Sequence, residues 1–299
     1  MERRTVELPG GRMSVLHFGR TTNPLKLVFC HANGFNAQSY RAVLEPLGVH
    51  AVALDLRGHG FTDMPADPER LVNWQVFADD IADYFDAHVE RPVVLAGHSY
   101  GAVSGILSLP RTRDKVHGYA GFDPVLVPAV MRWATRFSWG REYIKLRLPI
   151  ARKAGERRSR FDSRKDVFAR YQGRGAFKGV PDPVLRDYVL GGTRDRADGG
   201  VELACDPLWE QAIFAAQAHN LFRQVSKLPD ASRIVFAGAR GRVSTKAQRD
   251  LIARRQPAIS VEFQPTFNHL FPLQETAFAT HVLRSVMQQA ALGRARPTP

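Results

Sequence analysis

Five residues, Gly97-His98-Ser99-Tyr100-Gly101, place a hydroxyl at the centre of a turn flanked by glycines. The apolar run Pro92 to Ala96 leads into them, and the small and apolar residues that follow suit a helix, so the pattern G-x-S-x-G sits where a buried strand bends sharply into a helix. A Cβ on either flanking residue would collide with the neighbouring chain. In that setting Ser99 is a candidate nucleophile. The bare pentapeptide would be weak without its surroundings.

A serine hydroxyl is a poor nucleophile at neutral pH and needs a base within hydrogen-bond reach, itself oriented by an acid. With a strand-to-helix elbow the partners follow in the order Ser, acid, His. His269, in Thr266-Phe-Asn-His-Leu-Phe-Pro272, lies between the last expected strand and the last expected helix, where a loop overhangs the carboxyl edge of a parallel sheet. His31, His59, His98 and His219 violate the chain order or sit in turns with structural work to do; His98 is locked into the elbow, facing away from the serine.

The acid is less obvious. It commonly follows the strand that is here Arg233 to Ala237, but this chain continues Gly238-Ala-Arg-Gly-Arg-Val-Ser, with Gly241 where an aspartate is expected. Asp123 ends the preceding core strand, in Tyr119-Ala-Gly-Phe-Asp-Pro124, and would reach the same edge; the competing role is a cap on the turn before Pro124. Glu262, Glu202 and Asp206 are weaker candidates. The oxyanion formed by attack on a carbonyl needs two backbone donors. Tyr100 supplies one by following the nucleophile, and Asn33, in the loop His31-Ala-Asn-Gly-Phe-Asn36, is favoured for the other.

These residues need a scaffold that brings strand ends to one rim. Short apolar runs alternate with amphipathic stretches in a β-α-β rhythm, which predicts a mostly parallel sheet with helices on both faces. Strands are expected at Thr5 to Leu8, Met13 to His17, Lys26 to Cys30, His50 to Leu56, Pro92 to Ala96, Val116 to Phe122, Arg233 to Ala237 and Ile259 to Phe263. Helices are expected at Ala37 to Leu47, Trp74 to His88, Tyr100 to Leu109, Thr245 to Arg255 and Gln274 to Ala291. The rhythm breaks between residues 124 and 227 into helical, aromatic and Arg-rich segments without buried-strand signals. The expected organisation is a core of residues 1–123 and 228–299 with a helical lid, 124–227, inserted in it. Aromatics such as Trp133, Trp139, Phe161, Phe177 and Trp209 are expected to line an apolar pocket there, and the tail from Gly293 to fray.

The 299 residues carry a formal charge of +13, and between Arg132 and Arg174 fourteen Lys or Arg face four acids. Such a segment attracts anionic substrates, acidic membranes or nucleic acid, or is simply a solvated outer face. No nucleic-acid motif accompanies it. No apolar run approaches the roughly eighteen residues a membrane span needs, and the first residues have no apolar leader core, so a cytoplasmic protein without stable membrane insertion is expected. Two cysteines, Cys30 and Cys205, predict neither a disulfide nor a metal site.

Taken together, His31-Ala-Asn-Gly-Phe, Asp55-Leu-Arg-Gly-His-Gly-Phe-Thr62, Gly97-His-Ser-Tyr-Gly101, Phe122-Asp-Pro-Val125 and Asn268-His-Leu-Phe-Pro272 resemble the α/β-hydrolase superfamily, in the order that family uses and over nearly all the core. The segment Arg194 to Pro207 resembles a bacterial subgroup of generic hydrolases. Departures are Ala32 for the common glycine and Gly241 for the common aspartate. The resemblance implies an eight-stranded α/β-hydrolase fold, a lid, a Ser, acid, His triad and no cofactor. The expected activity is cleavage of a carboxylic ester, thioester or lactone through an acyl-enzyme, on a small-molecule substrate that the basic lid would suit to an anionic group. Alternatives are a non-catalytic ligand-binding protein of the same fold, motivated by Gly241, and a carbon–carbon bond hydrolase.

Overall fold

The computed structural model describes residues 1–239 and 243–294; Gly241 lies outside the described residues, as does the tail beyond residue 294. The strands are β1 (Glu2–Leu8), β2 (Gly11–Phe18), β3 (Leu27–Cys30), β4 (Ala51–Leu54), β5 (Val93–His98), β6 (Val116–Phe122), β7 (Arg160–Phe161), β8 (Thr193–Arg196), β9 (Gly200–Leu203), β10 (Ser232–Ala237) and β11 (Ser260–Gln264). The α-helices are α1 (Arg41–Leu44), α2 (Gln75–His88), α3 (Tyr100–Thr112), α4 (Ala129–Ala134), α5 (Ser138–Arg147), α6 (Pro149–Gly155), α7 (Arg164–Tyr171), α8 (Asp182–Gly191), α9 (Pro207–Ala215), α10 (Lys246–Arg255), α11 (Phe271–Gln274) and α12 (Thr276–Arg294).

Eight strands form one sheet in the order β1-β2-β4-β3-β5-β6-β10-β11. Pairing is antiparallel at β1-β2 and β2-β4 and parallel across the rest, as expected. Because side chains alternate along a strand, each parallel strand feeds two cores. Val28, Cys30, Val52, Leu54, Val93 and Leu95 pack toward α2 and α3 on one face. Leu27, Phe29, Ala51, Ala53, Val94 and Ala96 pack toward α1 and α12 on the other. Helix α12 docks through one stripe, Ala279, Val282, Leu283, Val286 and Ala290, with the spacing of an amphipathic helix. Each of its three large apolar side chains contributes about 1.5–3 kcal/mol on burial.

Two differences from expectation have local causes. The helix expected over Ala37 to Leu47 is a 3₁₀ turn at Ala37–Tyr40, a single α-turn and a second 3₁₀ turn at Glu45–Leu47. Pro46 has no N–H to continue it, and Gly48 then takes a left-handed conformation with φ of +69°. The excursion between β6 and β10 is not purely helical. It holds α4 to α9 together with a three-stranded antiparallel sheet, β7-β9-β8. Asp198-Gly199 is the turn between β8 and β9, with Gly199 at φ +91°, a hairpin signal that went unread because the flanking strands are only four residues long and mostly polar.

The parallel strands end at one edge. There the chain leaves β3, β5, β6, β10 and β11 through residues 31–36, Ser99, Asp123, Gly238 and the loop to His269, the rim where open α/β sheets bind ligands.

Candidate active site

Ser99 follows the last residue of β5 and precedes the first of α3, with φ 57° and ψ −122°, a conformation L-residues rarely take. Strain of this kind costs about 1–3 kcal/mol and needs surroundings that enforce it. They do so in two ways. The Ser99 N–H donates to the Phe122 carbonyl at 2.9 Å, and the Ser99 carbonyl accepts from Val103 at 3.2 Å. The glycines let the turn close: a Cβ on Gly97 would stand 2.7 Å from the Ala102 nitrogen, and one on Gly101 would stand 2.3 Å from the His31 carbonyl oxygen.

His269 Nε2 lies 2.9 Å from Ser99 Oγ, and His269 Nδ1 lies 2.7 Å from Asp123 Oδ2. The carboxylate can only accept, so Nδ1 carries the proton and Nε2 presents its lone pair to the serine hydroxyl. Asp123 is fully buried, and its second oxygen accepts the Ala237 N–H at 3.0 Å. The positive φ of Asp123, 43°, turns its side chain back over the sheet edge instead of capping the turn before Pro124. The imidazole's own backbone is fixed by the loop: Gly238 and Ala239 N–H groups both donate to the Phe267 carbonyl, and the Phe267 and Phe271 rings stack at 5.1 Å.

His98 does not turn away from this cluster entirely, as the elbow geometry suggested. Its Nε2 donates to the His269 carbonyl at 2.8 Å, and its Nδ1 accepts from the Tyr40 hydroxyl at 2.7 Å. Tyr40 in turn accepts the Ala32 N–H at 3.1 Å. Burial, with the neighbouring His269, holds the His98 pKa well below the ordinary value, so it stays neutral and keeps this donor pattern. Tyr40 and His98 therefore connect the loop after β3 to the loop carrying His269. Nothing in the sequence marked Tyr40, because its partner lies 58 residues away.

In the loop after β3, the amides of Ala32, Gly34 and Phe35 have acceptors. Ala32 N–H donates to Tyr40, Gly34 N–H to His59 Nε2 at 3.1 Å, and Phe35 N–H to the Ala32 carbonyl at 3.0 Å. Among the described residues, the Asn33 main-chain N–H has no acceptor, and neither does that of Tyr100 at the first turn of α3. Asn33 and Tyr100 are the residues whose amides the sequence reading favours for the oxyanion. The Asn33 side chain donates to the Glu210 carbonyl at 3.0 Å. Glu210 also holds a buried ion pair with Arg157, whose guanidinium further donates to Tyr171 Oη at 3.0 Å and Tyr188 Oη at 2.7 Å.

Arg157 thus departs from the expectation of a solvated basic face. Trp133 and Trp139 depart from the expected pocket lining as well: they are 53% and 58% exposed, whereas Phe161, Phe177 and Trp209 are buried. The other acids are engaged elsewhere. Glu262 forms a two-pronged pair with Arg233, Glu202 faces Arg160 at 4.0 Å, and Asp206 caps α9 through the Leu208 N–H at 2.7 Å. His31 accepts the Leu56 N–H at 3.0 Å, and His219 stacks on Trp74 at 4.5 Å. Asp55, fully buried, accepts from Ala37 N–H, Phe61 N–H and Ser14, which makes its motif scaffolding for the rim loops.

A family model described as alpha/beta hydrolase family matches residues 27–273, most of the chain. The chain belongs to the alpha/beta hydrolase family. A haloalkane dehalogenase of Agrobacterium fabrum (strain C58) is 34% identical to this alpha/beta hydrolase over 102 residues, 33% of this chain and 33% of that protein. A 2-(acetamidomethylene)succinate hydrolase of Mesorhizobium japonicum is 30% identical over 119 residues, 38% of this chain and 40% of that protein. The chain spans about a third to two fifths of the length of these curated relatives. Among solved structures, an E-2-(acetamidomethylene)succinate hydrolase superposes with a TM-score of 0.77 at 20% identity, covering 96% of this chain and 99% of that one. The thioesterase domain from the curacin biosynthetic pathway gives 0.71 at 16% identity, covering 95% and 99%. These likenesses show the fold. Membership supports a hydrolytic role. No helix among the described residues is long and apolar enough to cross a membrane.

Proposed function

We propose that this alpha/beta hydrolase is serine-dependent and cleaves a carboxylic ester, thioester or lactone through an acyl-enzyme. The observation that carries the reading is the unbroken path from Asp123 through His269 to Ser99, at 2.7 and 2.9 Å, beside two unpaired amides. Ser99 Oγ attacks the acyl carbon while His269 Nε2 takes its proton. Asp123 holds the imidazole in the required tautomer and stabilises its protonated form. The oxyanion is held by the Asn33 and Tyr100 N–H groups, and the protonated imidazole then gives its proton to the departing oxygen or sulfur. Water repeats the sequence on the acyl-enzyme and restores Ser99. Residues 124–227 act as a lid, with Glu210 bearing on the loop that carries Asn33.

The relative named as a haloalkane dehalogenase raises attack at a saturated carbon. With a serine nucleophile, that attack forms an ether. An ether has no carbonyl for water to add to, so the enzyme would stop after one event. An acyl ester of Ser99 can be hydrolysed by the same groups that formed it. The non-catalytic reading is motivated by Gly241 and leaves unused an acid, Asp123, that is hydrogen-bonded to His269.

Purified protein assayed against p-nitrophenyl esters, lactones and acyl-CoA thioesters should turn over at least one class. An ester substrate should show a burst of p-nitrophenol stoichiometric with enzyme that Ser99→Ala abolishes. Undiminished turnover by Ser99→Ala would overturn the proposal.

A further inference from the structure

Helix α5 is apolar on two sides. Gly140 and Ile144 face the body of the protein, where Ile144 packs with Ala151 and Ala215. Trp139, Tyr143 and Leu146, spaced four and three residues apart, line up on the other side and are exposed. The stripe continues backward through Phe137 and Trp133 and forward to Ile150, all exposed. The three aromatic rings touch one another, with centroids 5.3 to 6.3 Å apart and Phe137 stacked on Trp139. Over half of the large apolar side chains that are exposed among the described residues fall between Val130 and Ile150. A soluble surface rarely concentrates them so.

Charge says what covers this face. From Pro128 to Lys153 the sequence holds seven Lys or Arg and one acid, Glu142, which is tied to Lys145 at 2.8 Å. Arg136, Arg147 and Lys153 are exposed and have no acidic partner among the described residues. A second copy of the chain is a poor fit, because an isologous contact would set this basic rim against itself. Single-stranded nucleic acid would use the rings but leave Leu146 and Ile150, which have no π-face, without a partner. Tryptophans and aliphatics flanked by unpaired cations match a bilayer interface, where rings and aliphatic chains enter the headgroup boundary and cations meet anionic lipid.

We propose that the outer face of α4, α5 and α6 docks on the surface of an anionic phospholipid bilayer. Docking is peripheral, through side chains on three short helices. It does not rest on the hydrolase reading.

The test uses the full chain and two kinds of vesicle, phosphatidylcholine alone and phosphatidylcholine with about 30 mol% phosphatidylglycerol. The protein should float with the anionic vesicles and not with the neutral ones, and raising salt should weaken binding roughly tenfold. Of the four tryptophans, Trp74 and Trp209 are buried at 1% and 2% exposure, so a blue shift of emission on binding reports Trp133 and Trp139. Trp133→Phe with Trp139→Phe should keep flotation and lose the shift. Trp133→Ser, Phe137→Ser and Trp139→Ser together should lose flotation with an unchanged melting temperature, and Ser99→Ala should float like the wild type. Absence of flotation, or flotation untouched by the triple serine variant, overturns the proposal. So does a dimer dissolved by that variant, or retention on single-stranded oligonucleotide, when either occurs without vesicle binding.

Discussion

In the proposed mechanism Asp123 is the residue on which the chemistry turns, because the more usual position for the acid is glycine in this chain. Its carboxylate is buried and divided between His269 and the Ala237 amide, which leaves it no freedom to do anything but orient the imidazole. Asp123→Asn should therefore lower kcat by about 10⁴ while leaving KM within a few-fold, because the amide favours the wrong imidazole tautomer. Steady-state kinetics on the best ester substrate will show whether turnover falls. Ser99 and His269 were legible because each announces itself locally, as an elbow and a loop after the last strand, whereas Asp123 could be read only as a strand end with a turn cap as its competing role. Arg157 was not legible: its partner Glu210 lies 53 residues on, and a half-buried arginine inside an Arg-rich run looks like every solvated neighbour. Arg157→Met should leave Glu210 buried and unpaired and cost about 3–5 kcal/mol of stability. Because the Glu210 carbonyl anchors Asn33, kcat should fall too. Urea denaturation and initial rates separate the two effects.

At the scale of elements, the elbow ties β5, α3 and the loop after β3 into one unit. Gly101→Ala would drive its Cβ into the His31 carbonyl and push that loop, with Asn33, away from Ser99. The expected result is a loss of about 1–3 kcal/mol in denaturant unfolding together with reduced kcat. Strand positions in the core were readable from apolar runs bounded by turns, and helices α2, α3, α10 and α12 from their periodicity. The strands of the excursion were not, since Thr193-Arg194-Asp195-Arg196 has no apolar alternation and its pairing depends on a neighbour it meets only after folding. The outward stripe of α5 escaped reading for a related reason. Trp139 is expected to line a pocket, whereas in the structure Ile144 fills the inward side and Trp139, Tyr143 and Leu146 are exposed.

For the whole molecule, buried histidines couple stability to pH, His31, His59 and His219 alongside His98. Burial lowers His31 to about 4, and burial first, then its neighbour His31, lowers His59 to about 3. Burial, and then Arg132, lowers His219 to about 3. Each is neutral in the folded protein and takes up a proton near pH 6.5 when unfolded, so the unfolded state binds more protons between those values. Stability is thus complete above about pH 6.5 and falls toward about pH 4, with a slope of about 1.4 kcal/mol per pH unit for each histidine. Denaturant midpoints across that range should shift downward with acid, and a flat profile would contradict the assignment. His31 and His59 accept the Leu56 and Gly34 amides, so acid also loosens the loops around Asn33. The β-α-β order of the central strands β3 to β6 was legible from rhythm, because parallel strands buried on both faces read as continuous apolar runs.

Treatment with a fluorophosphonate followed by peptide mass spectrometry tests most directly whether Ser99 is an activated nucleophile. One adduct per chain is expected, on Ser99, with labelling slowed by orders of magnitude in His269→Ala. An unlabelled Ser99 in folded protein, or labelling that does not depend on His269, would contradict it.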